Sequence, residues 1–289
     1  MIDKTKALQL ARDAFNGSTN YFNANIRHQL ERDIRQFQSR HSPDSKYMSD
    51  AYKSRSRFFR PKTRAMVRSN EATAAEAFFS STDVIAIDPV REKDEGQQVS
   101  AEILKGLMQY RLTKTVPWFL TVIGAYQDSH VQGVVVSHQE WLWDQVRGID
   151  EPDITLLPLE NFRFDPAADW RNPIKTSPYL IQLIPMYVKD VKAKMAAGTW
   201  LPLSDTELKS SAKQYDSTRL LREDQRSSST DTITAINDFT IVWVHRVVMA
   251  DDTLGEDVIY YTLGEQFLLS EPRPLREQYA HLRRGERPY

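Results

Sequence analysis

The chain has 289 residues, a mass of 33.5 kDa, 40% hydrophobic and 27% charged residues, and no cysteine. That length is enough to bury a core in one large domain or two ordinary ones, and the missing cysteines exclude disulfides, thiolate metal sites and cysteine nucleophiles. Net charge is −1, yet residues 1–70 hold 15 Lys+Arg against 6 Asp+Glu (net +9) and the remainder holds 23 against 33 (net −10). Such a split suggests an anionic partner or a charge-complementary assembly; surface charges that segregate by chance are the plainer account. No apolar run approaches the roughly 20 residues of a membrane span. The most apolar stretch, 116–126, is broken by Pro117, Thr121 and Gly124, and MIDKTKALQL at the N-terminus is charged from its third residue, without a signal-peptide core.

In chain order, residues 4–39 read as two helices broken near Asn16-Gly17-Ser18. Phe22, Ile26, Leu30, Ile34 and Phe37 fall on one side of the second at helical spacing. Residues 40–60 are polar, with His41-Ser42-Pro43-Asp44 as a loop signal, and Pro61 suits the first turn of a helix running to about Phe79. DVIAID at 83–88 reads as a short strand closed by Pro89. Residues 97–114 predict a helix apolar on two sides, with Val99, Ile103, Leu107 and Tyr110 on one and Leu104, Met108 and Leu112 on the other; such a helix is expected to lie sandwiched between neighbours. Pro117 opens another helix to about Val131, and this pair is the expected core of the domain.

After Gly133 the pattern turns to strands. VVVSHQEWLW at 134–143 reads as one, with shorter ones at 154–158 and 179–184, and 187–197 and 204–215 read as helices. Residues 216–235 are polar and without periodicity, a candidate linker. FTIVWVHRVVM at 239–249 and VIYYTL at 258–263 form an expected hairpin, followed by QFLLS and a polar tail that offers nothing to close the hairpin's open edge. The fold class is therefore α+β, with a small mixed sheet. Its expected division is a helix-rich domain over 1–215, a linker over 216–238 and a β-rich region over 239–289.

A search for chemistry is mostly negative. The nearest glycines are nine positions apart (Gly124 and Gly133; Gly255 and Gly264), so phosphate-binding loops and nucleophile elbows are absent. None of the six histidines forms a His-x-His or HExxH arrangement; His130 and His138 flank a helix-to-strand junction and read as surface or hydrogen-bonded side chains in preference to a metal site. Asp165/Asp169 and Asp251/Asp252 pair locally, but each pair sits in a turn signature where aspartate bonds its own backbone. The densest basic stretch is 53–68, with Lys53, Arg55, Arg57, Arg60, Lys62, Arg64 and Arg68, no acid, and Phe58 and Phe59 between. It suits phosphate contact, or ion pairing within the chain or between subunits, with Glu71 in reach of Arg68 at i,i+3. Trp141/Trp143 and Phe162/Phe164 read as core alternation on strands in preference to a base-stacking platform. No catalytic apparatus, cofactor or metal is called for, and an assembly component is favoured over an enzyme.

Four strings taken in order, RSRFFRPKTRAMVRSNEA at 55–72, LMQYRLTKTVPWFLTVIGAYQD at 107–128, LLPLENFRFDPAADWRNP at 156–173 and PYLIQLIPMYVKDVKAKM at 178–195, resemble the portal proteins of tailed bacteriophages, most nearly the short-tailed type. The resemblance is strongest over about 55–200 and weaker over 239–289, where the hairpin looks like the family's clip. It implies a wing-like domain over 1–200 and a clip-like region after 239. It also implies a ring, usually of twelve subunits, at the capsid vertex of the virion, assembled in the host cytoplasm.

Through such a ring a separate terminase, which carries the ATPase, pumps double-stranded DNA. The implied partners are further copies of the chain, the terminase large subunit, major capsid and scaffold proteins, a tail adaptor and DNA passing non-specifically, with no membrane. Arg55, Arg57, Arg60, Lys62, Arg64 and Arg68 are the candidate subunit-interface or phosphate contacts. The +9 front and −10 back would suit a head-to-tail ring contact, and a neighbour would cover the hairpin edge. Family members are longer, so the chain reads as an N-terminal portion without the channel-lining elements. Another head-completion or scaffold-binding protein is the alternative. A metal-dependent nucleic-acid-processing enzyme built on Asp165, Asp169 and residues 53–68 is a more distant one.

Overall fold

Strand β4 (Tyr179–Tyr187) runs antiparallel to β5 (Ile241–Asp251), with Tyr179 opposite Met249 and Tyr187 opposite Ile241. Around that pair a six-stranded antiparallel sheet is built. Strand β3 (Phe162–Phe164) flanks β4; β6 (Glu256–Leu263) flanks β5; β7 (Phe267–Leu268) and β8 (Arg273–Pro274) both pair with β6. This computed structural model describes residues 3–81, 83–91, 93–144, 148–211, 218, 221 and 237–289. It contains two compact units, Met1–Glu31 with Pro158–Tyr289, and Arg32–Leu157. The class is α+β, and the strand pairings are antiparallel throughout, where a mixed sheet was expected.

In the first unit, β5 and β6 are buried on both faces, which is why their sequences are nearly continuous apolar runs with no polar alternation. Helix α1 (Lys4–Tyr21) covers one face. Its Ala7 and Ala11 are small enough to let the helix lie against Ile181, Val247, Met249, Val258 and Tyr260. The Tyr260 hydroxyl donates to the Ala7 carbonyl at 3.0 Å, so the sheet is tied to the helix by a polar bond inside an apolar layer. On the other face Trp200 packs 5.7 Å from Tyr261, beyond α7 (Val188–Ala196), whose Val188 and Val191 are buried. Leu208 of α8 (Asp205–Ser210) is buried too, behind a Ser204–Glu207 capping box.

The expected break at Asn16-Gly17-Ser18 does not occur. Ser18 turns its hydroxyl back onto the Ala14 carbonyl (2.8 Å), and α1 continues to Tyr21 because its buried face outweighs the roughly 1 kcal/mol propensity penalty of Gly17. The interruption comes later, as one π-helical turn at Phe22–Ile26 before α2 (Arg27–Phe37). The division between units falls within α2.

Residues 239–289 are not a separate region, because pairing with β4 makes β5 an interior strand. The hairpin edges expected to be open are covered by β4 on one side and by β7 and β8 on the other. The tail is folded as well. Leu275 and Tyr279, on and just after α9 (Leu275–Gln278, numbered after the four-residue α6 at Pro173–Thr176), are buried. Arg287 grips both oxygens of Asp257 at 2.8 and 2.9 Å and donates to the carbonyls of Ile174 and Ser177. The expected linker, 216–238, lies outside the described residues except at 218, 221 and 237–238.

The second unit holds α3 (Lys62–Phe79), α4 (Glu95–Tyr110), α5 (Trp118–Gln132) and a two-stranded hairpin of β1 (Val136–Asp144) and β2 (Ile149–Leu157). Phe79 of α3 meets Phe119 of α5 edge-on at 4.8 Å. A Cβ at Gly124 would lie 3.0 Å from Leu156 Cδ1, so glycine lets α5 press on the base of the hairpin. The expected core is not here: α4 and α5 bury no residue, and the two-sided apolar pattern of α4 is largely in solvent, with Ile103 69% exposed. Nor is 83–88 a strand. Val84 N–H donates to the Gln109 side chain at 2.9 Å, and Asp83 binds Lys105 at 2.6 Å, so α4 satisfies the segment in place of a sheet. No helix among the described residues is long and apolar enough to cross a membrane.

Burial pushes the Tyr260 hydroxyl far above its ordinary range, and Tyr179 shifts the same way through burial and the nearby Asp165 charge. A folded-state value above the unfolded one contributes stability that is full below about pH 10 and is lost as pH climbs toward the folded-state value. Tyr260→Phe is expected to cost about 1 kcal/mol at pH 8 and to flatten the loss of stability above about pH 10, read by urea denaturation at both pH values. Arg287→Ala leaves Asp257, whose side chain is only 12% exposed, uncompensated. The expected cost is about 3 kcal/mol, with residues after 275 becoming the first site of limited proteolysis.

Candidate interaction surface

Residues 40–61 reach α3 through a small aromatic cluster. His41 stacks on Tyr47 at 4.6 Å and meets Phe59 edge-on at 5.0 Å, while Tyr52 abuts Tyr47 at 5.7 Å. His41 Nε2 lies 3.1 Å from the Arg57 carbonyl. Two short 3-10 turns, Lys46–Met48 and Asp50–Tyr52, set these rings, the first capped by the Ser45 hydroxyl. Within 55–60 the cluster holds Phe59 half-buried while the other side chains stand in solvent, and Pro61 then starts α3 with a fixed φ of −79°.

Lys53, Arg55, Arg57, Arg60, Lys62, Arg64 and Arg68 are all exposed, and Phe58 between them is 79% exposed. Arg68 donates to Glu71 at 2.7 Å, fulfilling the i,i+3 expectation, and Glu71 is buried. The other six have no carboxylate partner among the described residues. Their neighbours are aromatic: Arg55 sits 5.0 Å over Tyr52, and Arg64 and Arg68 lie 6.0 and 5.8 Å over Phe37. Sequence spacing could not foresee the Phe37 contact, which joins residues far apart in the chain.

The hairpin is the second exposed feature. Trp141 and Trp143 were expected as core alternation but are 51% and 70% exposed, toward the turn end of the hairpin. Trp141 Nε1 donates to Asp150 at 2.7 Å. Across the strands Trp143 faces Asp150, Leu142 faces Glu151, and Glu140 faces Asp153, so two carboxylates stand directly opposite each other. Phe162, by contrast, is buried against Tyr289 at 5.0 Å, but Arg163 beside it is buried too and Phe164 is half-buried, so the alternation expected of Phe162 and Phe164 is not what β3 shows.

The remaining candidates are not brought together. His130 bonds the Tyr126 carbonyl one turn back, His138 is buried with Glu140 3.9 Å away, and no cluster of metal-ligating side chains occurs among the described residues. Asp165, Asp169 and Asp251 each accept from the N–H two residues on, at 2.8, 3.0 and 2.8 Å, so one oxygen of each is committed to its own turn. The charge split also has a different meaning in three dimensions. Residues 32–157 hold 17 basic and 17 acidic residues, so the +9 front is not the charge of either unit. No known protein family matches the chain, and no curated protein matches it.

Removing Arg68 leaves the buried Glu71 uncompensated, whereas Arg60 touches no acid. Arg68→Ala is expected to destabilise by about 1–2 kcal/mol and Arg60→Ala by less than about 0.5 kcal/mol, compared by thermal denaturation.

Proposed function

We propose that the chain is a structural subunit of a phage head that assembles with copies of itself, of the portal type that its ordered strings resemble. One observation carries this reading: the stripe of Val99, Ile103, Leu107 and Tyr110 along α4 stands in solvent. Apolar surface of that continuity on a folded unit marks an interaction site. The unpaired cations of 53–64 are a second surface in want of a partner. In this reading the copies close a ring at one capsid vertex and double-stranded DNA passes through it non-specifically. Terminase, scaffold, capsid and tail adaptor bind the ring's outer surfaces, and the chain itself performs no chemistry. A metal-dependent nuclease centred on Asp165 and Asp169 gains no support, because both carboxylates bond local N–H groups.

Light scattering on a sizing column at low and high salt tests the proposal. The expected result is a species of about ten to fourteen protomers at low salt whose mass falls as salt screens its contacts. A single protomer at every salt and concentration overturns it. A salt-independent dimer would favour a head protein that forms no ring.

A further inference from the structure

The β1–β2 hairpin and the basic stretch before α3 belong to the same unit, yet neither satisfies the other. Asp150, Glu151 and Asp153 have no cation within ion-pair distance among the described residues, and Arg55, Arg57, Arg60, Lys62 and Arg64 have no anion. Each surface also presents bare aromatic area, Trp141 and Trp143 on one and Phe58 on the other. A two-stranded hairpin of nine residues per strand is about 30 Å long and marginal without further support, and toward its turn Trp141, Leu142, Trp143 and Asp150 are exposed.

We propose that the hairpin end of one copy docks on the 55–64 surface of the next, with Asp150 and Glu151 against the arginines and guanidinium groups stacking on Trp141 and Trp143. This deepens the assembly reading and rests on it only in requiring that copies meet. The occupant is a second copy because the chain itself carries the complement of each surface. DNA would satisfy the arginines alone and would be repelled by the hairpin's carboxylates. Arginine over tryptophan is the favoured cation–π pair, and desolvation at the contact strengthens it. The contact joins two different surfaces, so it propagates head to tail and closes a ring or continues as a filament according to its angle.

The test uses two charge-reversed forms of the full chain, Arg60→Glu with Arg64→Glu, and Asp150→Lys with Glu151→Lys, followed by native mass and sedimentation. All four positions are exposed or half-buried, and unchanged circular dichroism and melting establish that both forms fold. Each form alone is expected to self-associate about tenfold more weakly or worse, and an equimolar mixture to regain assembly, since the substituted positions of one form then face the oppositely charged substituted positions of the other. Wild-type mass in either form, or a mixture that stays dissociated, overturns the docking while leaving the assembly reading intact. Loss of retention on duplex DNA by the Arg60/Arg64 form with no change in mass overturns it in favour of a phosphate-binding surface. A wild-type chain that is monomeric throughout overturns both.

Discussion

The long antiparallel contact between β4 and β5 is the constraint on which the first unit depends. It joins segments separated by the whole of 188–240 and makes an interior strand of what would otherwise be the edge of a hairpin. An interior strand buried on both faces must be apolar at successive positions, and both faces must then be covered. Helix α1, from the opposite end of the chain, covers one face through Ala7 and Ala11. Trp200 and the helices near it cover the other. The last residues follow: Arg287 can lock onto Asp257 only because β6 holds that carboxylate beside the carbonyls of Ile174 and Ser177.

The unit of residues 32–157 is organised differently. Phe79 of α3 meets Phe119 of α5, Gly124 of α5 meets Leu156 of β2, and the 40–61 segment is ordered by rings around His41 and not by a deep apolar layer. Little apolar area is removed from water along α4, where burying a side chain would stabilise by about 1.5–3 kcal/mol. The exposed stripe is thus a reserve of binding free energy. The same holds for charge, since both units are close to neutral while individual patches within the second are not. Unpaired cations and carboxylates on opposite features of one unit fit a contact between copies better than a net attraction between the two ends of a chain.

The strands of greatest consequence were legible in the residues. Runs such as IVWVHRVVM and VIYYTL are too β-branched and aromatic for anything else, and Pro61 and Pro117 mark the starts of α3 and α5 because a fixed φ and a missing N–H suit a first turn. The basic stretch and the Arg68–Glu71 pair were likewise readable, since both are local. The π-turn at 22–26 was not, because Gly17 is a stronger local breaker than anything in Phe22–Ile26 and only packing of α1 on the sheet decides between them.

What the sequence by itself determined is therefore local: the α+β class, most helix starts and strand runs, and the positions of the charges. Only the tertiary structure decided where the core lies, that the 239–269 hairpin has no open edge, and that the two-sided helix α4 and the tryptophans of β1 face solvent. The reason is physical. An apolar periodicity states that a side chain would gain by burial, but not which surface will bury it; in β5 the partner is another strand of this chain, while along α4 the described residues leave no side chain buried.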